Sequence, residues 1–426
     1  MSGNKIYKLA KKIFPIYRSI TGNGVRETLR CLQQICPYLQ IHEVPSGTKV
    51  FDWEVPLEWN ISEAYIENEQ GERIVDFANN NLHVVGYSQP IDQWVMREEL
   101  DQYLYTQPEQ PDVIPYVTSY YAPRSGFCMS ENQKKQLPDG NYHMVIDSGF
   151  KKGSLTYGEI VLPGETEEEV FFSTYVCHPS MANNEVSGPC INIYLADMIS
   201  KMKSHRYTYR FVFIPETIGS ITYISTHLEQ MKKNIKAGFV ITCVGDDNAY
   251  SYVESRKGNT LADKALTQVL KYYAPEYKQY SYLYRGSDER QYCSPGVDLP
   301  VCVFCRSKFH EYKEYHTSAD NLDFISPEGL GNAYEVLKQV VLALEYNYKY
   351  KMTVCCEPQL GKRGLYPTVS QKGTYADVKT LQNFIAYADG ENDLFEISDK
   401  IDASVERLIP IAERLLKEQL ITIAEN

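Results

Sequence analysis

The hydrophobic pattern of the chain changes character along its length. Residues 4–36 have apolar side chains at helical spacing, interrupted at Pro15 and by the turn sequence TGNG, and they predict two helices. Residues 49–134 instead contain short alternating segments separated by Pro and Gly, which predict a small β-rich unit. From 135 to 350, apolar strand-like segments alternate with amphipathic helical segments, which indicates a wound α/β sheet.

Four strands and four helices are predicted in alternation within this last region. The strands are EEVFFSTYVC, YTYRFVFIP, AGFVITCV and LPVCVFC, and the helices are GPCINIYLADMISKM, SITYISTHLEQM, NTLADKALTQVLKYY and PEGLGNAYEVLKQVVLALEYNY. The strands are continuously apolar, which is typical of buried parallel strands. Loops at the carboxyl ends of such strands are where open α/β sheets bind ligands, so these loops are the first place to look for a site.

The last segment, 351–426, reads as a linker-like loop followed by three short helices. Its final two helices are joined by a tight turn, as in a winged-helix or helix-turn-helix unit. The final helix has three acidic and three basic residues, namely Glu406, Glu413, Glu418, Arg407, Arg414 and Lys417. Such a mixed face repels phosphate about as much as it attracts it, so packing or partner binding is favoured over DNA contact.

Composition narrows the class of protein. The 426 residues, with 43% hydrophobic and 23% charged side chains, are those of a globular protein of two or three domains. A net charge of −12 argues against a nonspecific nucleic-acid binder. No apolar stretch is long enough to span a membrane, and the eleven cysteines lie mostly in apolar segments, so we expect a cytoplasmic protein with reduced thiols.

Histidines and carboxylates recur in the loops after the predicted strands. His178 and Glu185 follow one strand, Glu216 follows the next, and His316 lies with Asp320 in a polar loop before the last long helix. A lone histidine is more often an ordinary loop or core residue, and Glu216 alone could be a helix cap. Two histidines and two glutamates on adjacent loops instead match a catalytic zinc site, with one carboxylate left as general base.

The motifs CHPSMANNEVSGP, IPETIGSITY, GSDERQYCSPGVDLPV and YHTSADNLDFIS together resemble the zinc aminopeptidase superfamily. The chain is similar in particular to aminopeptidase-like proteins often encoded among bacterial surface polysaccharide genes. That resemblance implies an α/β fold with a mixed sheet flanked by helices, an inserted β-rich domain and a C-terminal winged-helix domain. The expected limits are 1–48 with 135–350 for the catalytic domain, 49–134 for the insertion, and 351–426 for the winged helix.

The chain departs from this family at positions where two-zinc members have acidic ligands. Asn184, Thr217 and Thr242 stand at those positions, and all three are neutral. Without the anionic charges, a second dication is costly to hold. Asp246, just beyond Thr242, is the residue that could restore a second metal site.

The resulting expectation is one zinc ion, held by His178, Glu185 and His316, with Glu216 as the general base. The expected activity is hydrolysis of an amide or peptide bond, with an aminopeptidase or a deacylase in surface glycan metabolism as the leading possibilities. The main alternative is an inactive aminopeptidase-fold protein that binds a glycan or peptide. A transcription regulator is a third possibility, weakened by the mixed charge of the tail.

The substrate is expected to be a small peptide or an aminoacyl or acyl-amino sugar. Arg285, Asp288 and Arg290 lie in a Gly-bounded loop, and an Arg fork suits a substrate carboxylate. A surface ion-pair network is the ordinary alternative for these residues. Neither a nucleic acid nor a membrane is an expected partner, and association into a homo-oligomer is left open.

Overall fold

A computed structural model describes residues 3–120, 122–365 and 374–424, and of residues 374–377 it describes only the backbone. Its α-helices are α1 (Gly3–Ile13), α2 (Asn23–Gln33), α3 (Arg97–Leu100), α4 (Glu131–Lys135), α5 (Ser187–Ile199), α6 (Ile218–Asn234), α7 (Leu261–Tyr273), α8 (Glu289–Tyr292), α9 (Pro327–Glu345), α10 (Thr374–Tyr387), α11 (Leu394–Ile401) and α12 (Val405–Lys417).

The first nine strands are β1 (Gln40–Pro45), β2 (Lys49–Val50), β3 (Trp53–Glu54), β4 (Glu58–Asn68), β5 (Arg73–Asp76), β6 (Ile91–Met96), β7 (Leu104–Tyr105), β8 (Phe127–Cys128) and β9 (Asn141–Lys151). The others are β10 (Ser154–Leu162), β11 (Glu169–Tyr175), β12 (Thr208–Ile214), β13 (Ile235–Ile241), β14 (Ser251–Val253), β15 (Lys278–Tyr280), β16 (Val301–Cys305), β17 (Lys349–Met352), β18 (Asp389–Asp393) and β19 (Ile421–Ile423).

The chain divides into two compact units, one of Met1–Ala262 with Lys278–Tyr334 and the other of Asp263–Tyr277 with Glu335–Asn426. The first unit is built on an eight-stranded mixed sheet in the order β1-β10-β12-β11-β13-β16-β14-β15. Its four central strands, β12, β11, β13 and β16, run parallel to one another. Their carboxyl ends therefore lie at one edge of the sheet.

The central strands are buried because apolar residues occupy both faces. Every residue of β11 and β16 is buried, and Phe172 stacks between Phe211 and Phe239 of the neighbouring strands. Their sequences are accordingly continuous apolar runs and do not alternate. The four strands and four helices predicted for 135–350 are confirmed, and the structure adds β9, β10, β14, β15 and α8, which are not among the predicted elements.

A four-stranded antiparallel sheet in the order β5-β4-β9-β6 forms the β-rich part of the first unit. Its core includes Ile66, Phe127, Met144 and Ile146, all fully or almost fully buried. The strand β9 belongs to this sheet although it lies beyond the expected limit of the insertion at residue 134. An alternating pattern predicts a strand but does not show which sheet that strand joins.

The second unit contains a three-stranded antiparallel sheet, β18-β17-β19, together with α10, α11 and α12. The apolar face of α12 is buried through Val405, Leu408, Ala412 and Leu415. Its acidic and basic residues lie on the exposed side. All eleven cysteines are free thiols, and within the described parts of the chain no helix is both long and apolar enough to cross a membrane.

Candidate active site

The loops that follow the central strands bring the predicted chemical groups together. His178 follows β11, Glu216 follows β12, and His316 lies in the loop between β16 and α9. The rings of His178 and His316 have their centroids 5.6 Å apart. His178 Nε2 lies 3.5 Å from Glu216 Oε2. Four-coordinate zinc with ligand distances of about 2.0–2.2 Å separates two neighbouring donor atoms by about 3.4 Å, so the last distance suits two ligands of one ion.

The other nitrogen of His178 faces a different carboxylate. His178 Nδ1 lies 2.7 Å from Glu185 Oε2, and both side chains are buried. A carboxylate that accepts from the non-ligating nitrogen of a histidine fixes the orientation of the ring toward a metal. Glu185 also belongs, with Cys177 and His178, to the described group of side chains whose donor atoms lie within 4.8 Å of one another, so its ligand role stays a prediction.

Glu185 occupies a single π-helical turn, Ala182–Val186, that leads directly into α5. Asp320 holds this turn, since its carboxylate accepts from the backbone N–H of Asn183 at 2.6 Å and of Asn184 at 3.0 Å. π-Helical turns of this kind are frequent at functional sites. Asp320 therefore shapes the loop that presents Glu185.

The positions that lack acidic ligands are occupied by a neutral network. Asn184 Nδ2 donates to the Tyr175 hydroxyl at 3.0 Å, that hydroxyl bonds to Thr242 Oγ1, and Thr242 in turn donates to the Asn184 carbonyl at 2.9 Å. Asn184 Oδ1 is buried and has no hydrogen-bond partner among the residues that the structure describes. These side chains provide no negative charge for a second dication.

Asp246 does not supply that charge either. Its carboxylate accepts four hydrogen bonds at 2.8–3.0 Å, from Asn183 Nδ2, Asn248 N, Ser307 N and Ser307 Oγ. These four donors use the lone-pair sites that a carboxylate offers. The Asp246 carboxylate therefore connects the surrounding loops. Its lone pairs are already used, so the structure gives no support to its expected role as an additional metal ligand.

The three residues expected to bind substrate are separated in the structure. Arg285 is exposed and contacts Tyr282. Asp288 is fully buried and accepts from Thr217 N and Ser220 Oγ, each at 2.8 Å, so it supports the start of α6 and is not open to a substrate. Arg290 alone reaches the site.

The Arg290 side chain is 40% exposed and donates to Thr217 Oγ1 at 2.6 Å, with Nη2 lying 4.0 Å from Glu216 Oε1. The guanidinium thus contacts the neutral Thr217, which stands where the family resemblance would place an acidic ligand. Arg290 therefore brings a positive charge to the edge of the His178 and Glu216 pair.

The β-rich insertion forms one wall of the site. Tyr116 lies beside both imidazoles, with its ring 5.2 Å from that of His178 and 5.1 Å from that of His316. Backbone hydrogen bonds fix this wall, from Tyr116 N to His316 O at 2.9 Å and from Ser318 N to Ile114 O at 2.9 Å. Sequence reasoning did not identify Tyr116, because an aromatic residue in a loop has no pattern that indicates its target.

The surroundings of the site shift the pKa values of its titratable groups in opposite directions. Burial alone would lower the pKa of His178, but the adjacent Cys177 and Glu185 outweigh it and raise that pKa well above its usual value. Burial raises the pKa of Glu216 to about 7, against the opposing influence of His178. Burial and the nearby His178 lower the pKa of His316 well below its usual value. Metal binding to these groups would release protons, since ligands must be deprotonated.

Backbone strain is concentrated in the same loops. Ser180, Thr217, Cys243 and His316 all have positive φ, between 34° and 65°. For a β-branched residue such as Thr217 this conformation is a genuine outlier. Strained backbone persists only where the surrounding structure over-determines it, and it clusters at functional sites.

Comparison with known proteins agrees with this architecture. A family model described as a domain of unknown function (DUF4910) matches residues 7–347, and one described as a winged helix-turn-helix matches residues 348–423. A Clostridium acetobutylicum protein, provisionally named as a polysaccharide biosynthesis protein with an aminopeptidase-like domain, is 44% identical over 424 residues. The match covers 99% of this chain and 97% of that protein.

Solved structures show the same relationship. A crystal structure of a provisionally named peptidase from Clostridium acetobutylicum has a TM-score of 0.93 at 43% identity, covering 99% of this chain and 96% of that one. A zinc aminopeptidase from Bacillus subtilis has a TM-score of 0.59 at 11% identity, covering 80% and 95%, and this likeness concerns the fold alone. The predicted aminopeptidase-like fold and C-terminal winged-helix unit are confirmed.

Proposed function

The chain belongs to the family described as a domain of unknown function (DUF4910), and from this membership and its aminopeptidase-like fold we propose that it is a zinc-dependent hydrolase of an amide or peptide bond. The observation that supports this most directly is the convergence of His178 Nε2, Glu216 and His316 at one edge of the sheet. Two imidazoles and one carboxylate are a known ligand set of catalytic zinc with an open position.

These residues have the donor chemistry for one zinc ion, while in the described part of the chain the donor atoms that lie within 4.8 Å of one another are those of Cys177, His178 and Glu185. His178 Nε2, His316 and Glu216 would hold it, and Glu185 would orient His178 from the Nδ1 side. When bound in such a site, zinc polarises a carbonyl oxygen and lowers the pKa of a bound water. The neutral Asn184 and the fully hydrogen-bonded Asp246 argue against a second ion.

The substrate we propose has an anionic group near its scissile amide. Of the nitrogens of Arg290, only Nη2 has a hydrogen bond to the described residues, which leaves Nε and Nη1 for a carboxylate. Tyr315, which stacks on His316, and Tyr116, whose ring is tilted against His178, offer amphipathic surfaces beside it. A small acidic peptide or an acyl-amino sugar with a carboxylate meets these requirements, and the name of the Clostridium relative favours a role in surface glycan metabolism.

A second candidate is a binding protein that has lost catalysis. The neutral Asn184, Thr217 and Thr242 favour it, because they reduce the negative charge available to metal. This candidate and the hydrolase differ in zinc content, since a binding protein has no need of a stoichiometric ion.

The test is elemental analysis of the full chain purified without added metal. We expect one zinc per chain, and we expect His178→Ala and His316→Ala each to lose it. His143→Ala is the matched control, because His143 contacts Glu67 and Asp92 yet lies on the β-rich sheet. Full zinc occupancy in either site variant would refute the metal assignment.

Activity is then measured on matched acidic and neutral amide substrates, for example glutamyl and glutaminyl anilides, and on N-acylated amino sugars. Arg290→Met should raise KM for the acidic member of each pair more than for the neutral one. Arg285→Met is the control, because Arg285 is exposed and contacts only Tyr282 among the described contacts. A zinc-bound protein inactive on every substrate would favour the binding protein.

A further inference from the structure

A buried arginine lies directly behind the candidate zinc ligands. Arg18 is in the segment between α1 and α2, and its side chain is 1% exposed. Its Nε donates to the carbonyl oxygen of His178 at 3.0 Å and lies 3.5 Å from Glu185 Oε1. Its Nη1 donates to the Ile13 carbonyl at 2.7 Å and lies 3.3 Å from Thr28 Oγ1.

The segment that contains Arg18 is attached to the His178 loop at further points. Ser180 Oγ donates to the Phe14 carbonyl at 3.1 Å. Asn81 Nδ2 donates both to the Pro15 carbonyl at 2.9 Å and to Ser180 Oγ at 2.8 Å. These contacts keep the backbone of Arg18 at a fixed position relative to His178.

We propose that Arg18 is a positioning residue that holds both the backbone and the imidazole of His178 in the orientation needed for zinc binding. This inference rests on the proposed function. One guanidinium contacts the His178 carbonyl and the Glu185 carboxylate, and that carboxylate contacts His178 Nδ1 at 2.7 Å. The Arg18 side chain thus contacts the backbone of His178 and the Glu185 carboxylate that holds its imidazole, and His178 Nε2 is left facing Glu216.

The chemistry of the contact requires an arginine. A buried carboxylate is costly unless it is paired, and Arg18 supplies the positive charge beside Glu185. A planar guanidinium can also contact several acceptors in fixed directions, whereas a lysine ammonium is a compact charge on a flexible stem. Lysine would therefore keep the charge at this position but not the geometry.

The test is a double-mutant cycle on zinc affinity, measured by competition with a chromophoric chelator. Arg18→Met and Glu185→Gln should each weaken zinc binding by about 10- to 100-fold, as loss of a residue behind a metal ligand typically does. Because Arg18 supports the imidazole through Glu185 and the backbone of His178 directly, the loss in the double variant should exceed that in Glu185→Gln but remain smaller than the sum of the two single losses. Additive losses, or an unchanged affinity in Arg18→Met, would overturn the proposal.

Two variants separate positioning from general destabilisation. Arg26→Met removes a different arginine, which is partly buried and pairs with Glu43 and Glu58. Arg26 does not contact His178 among the described contacts, so the zinc affinity of this variant should be unchanged. If Arg18→Met does not fold, Arg18→Lys takes its place in the cycle. A wild-type affinity in Arg18→Lys would show that charge alone suffices and would refute the positioning role.

A metal-free measurement distinguishes this proposal from the proposed function. Histidine-selective ¹⁵N labelling should show a hydrogen-bonded Nδ1–H for His178, assigned by its loss in His178→Gln. Arg18→Met should shift or broaden this signal, and Arg26→Met should not. If the wild-type protein binds no zinc but the signal responds to Arg18, the proposed function fails and the positioning role stands; an unchanged signal refutes the positioning role.

Discussion

At the scale of single residues, the main question is whether Glu216 acts as a metal ligand or as a general base. The sequence predicts that Glu216 is the general base and that Glu185 is a metal ligand. The structure places Glu216 3.5 Å from His178 Nε2 and Glu185 on the opposite side of the same ring. That geometry favours Glu216 as the third ligand and Glu185 as the group that orients His178.

Glu216→Gln separates the two roles. If Glu216 is a ligand, its replacement by a neutral amide should weaken zinc binding strongly, and the purified variant should no longer contain stoichiometric zinc. If Glu216 is instead the general base, the variant should retain zinc and its rate should fall by about 10²- to 10⁴-fold. Zinc content is measured first, because it needs no substrate. Full zinc with low activity would return Glu216 to the role of base.

Individual residues also show where sequence patterns stop being informative. The two histidines and Glu216 were predictable, because each follows a strand that its own apolar sequence indicates. Arg18 was not, since a single arginine in a turn has no periodicity and its partners lie far along the chain. The identity of the nitrogen facing Glu185 was equally beyond the sequence, because it depends on a side-chain torsion angle.

At the scale of elements, α5 lies very close to the sheet at the site. Gly188 is in its first turn, and a Cβ at this position would overlap Thr174 Oγ1 and lie 2.5 Å from the Ile241 carbonyl oxygen. The helix can approach the ends of β11 and β13 only because this residue has no side chain. The π-helical turn with Glu185 immediately precedes it.

Gly188→Ala should therefore destabilise the fold by about 1–3 kcal/mol, as overpacking typically does, and should also weaken zinc binding. Thermal denaturation and zinc competition measure the two effects. Gly149→Ala is the control, because nothing lies within 4 Å of a Cβ at Gly149. A stable Gly188→Ala variant would mean that α5 can move away from the sheet at little cost.

The limits of the elements were less predictable than their existence. Apolar runs identified β11, β12, β13 and β16 because these strands are buried on both faces. The strand β9 was placed outside the insertion, although it pairs with β4 and β6. Strand pairing joins distant segments, and a local pattern has no information about it.

The helix α12 provides a test of the expected partners. Its exposed side has Glu406 and Glu413, with Glu418 directly after its last residue, against three basic residues, while its apolar face is buried. We expect no tight, salt-dependent binding of duplex DNA, because the opposite charges cancel. Fluorescence anisotropy with labelled duplex at about 50 mM and 200 mM salt measures this. A steep loss of affinity between the two salt concentrations would restore a regulatory DNA-binding role.

At the scale of the whole molecule, the buried groups of the site link folding to pH. Burial raises the pKa of both Glu216 and Asp320 to about 7, whereas in an unfolded chain carboxyl groups titrate near 4. Between these values the folded protein retains protons that the unfolded chain releases, so stability falls as pH rises. The raised pKa of His178 has the same sign, and the lowered pKa of His316 opposes it below about pH 6.5.

We therefore expect the metal-free protein to lose stability as the pH rises from about 5 to about 7.5. Calorimetry of the chelator-treated full chain across this range measures the slope. Asp320→Asn removes one retained proton, so its profile should be shallower by up to about 1.4 kcal/mol per pH unit. Asp247→Asn, which removes an exposed carboxyl group on a nearby loop, is the matched control. A profile that rises across this range, or an equal slope in Asp320→Asn, would show that the buried carboxyl groups are ionised in the folded protein.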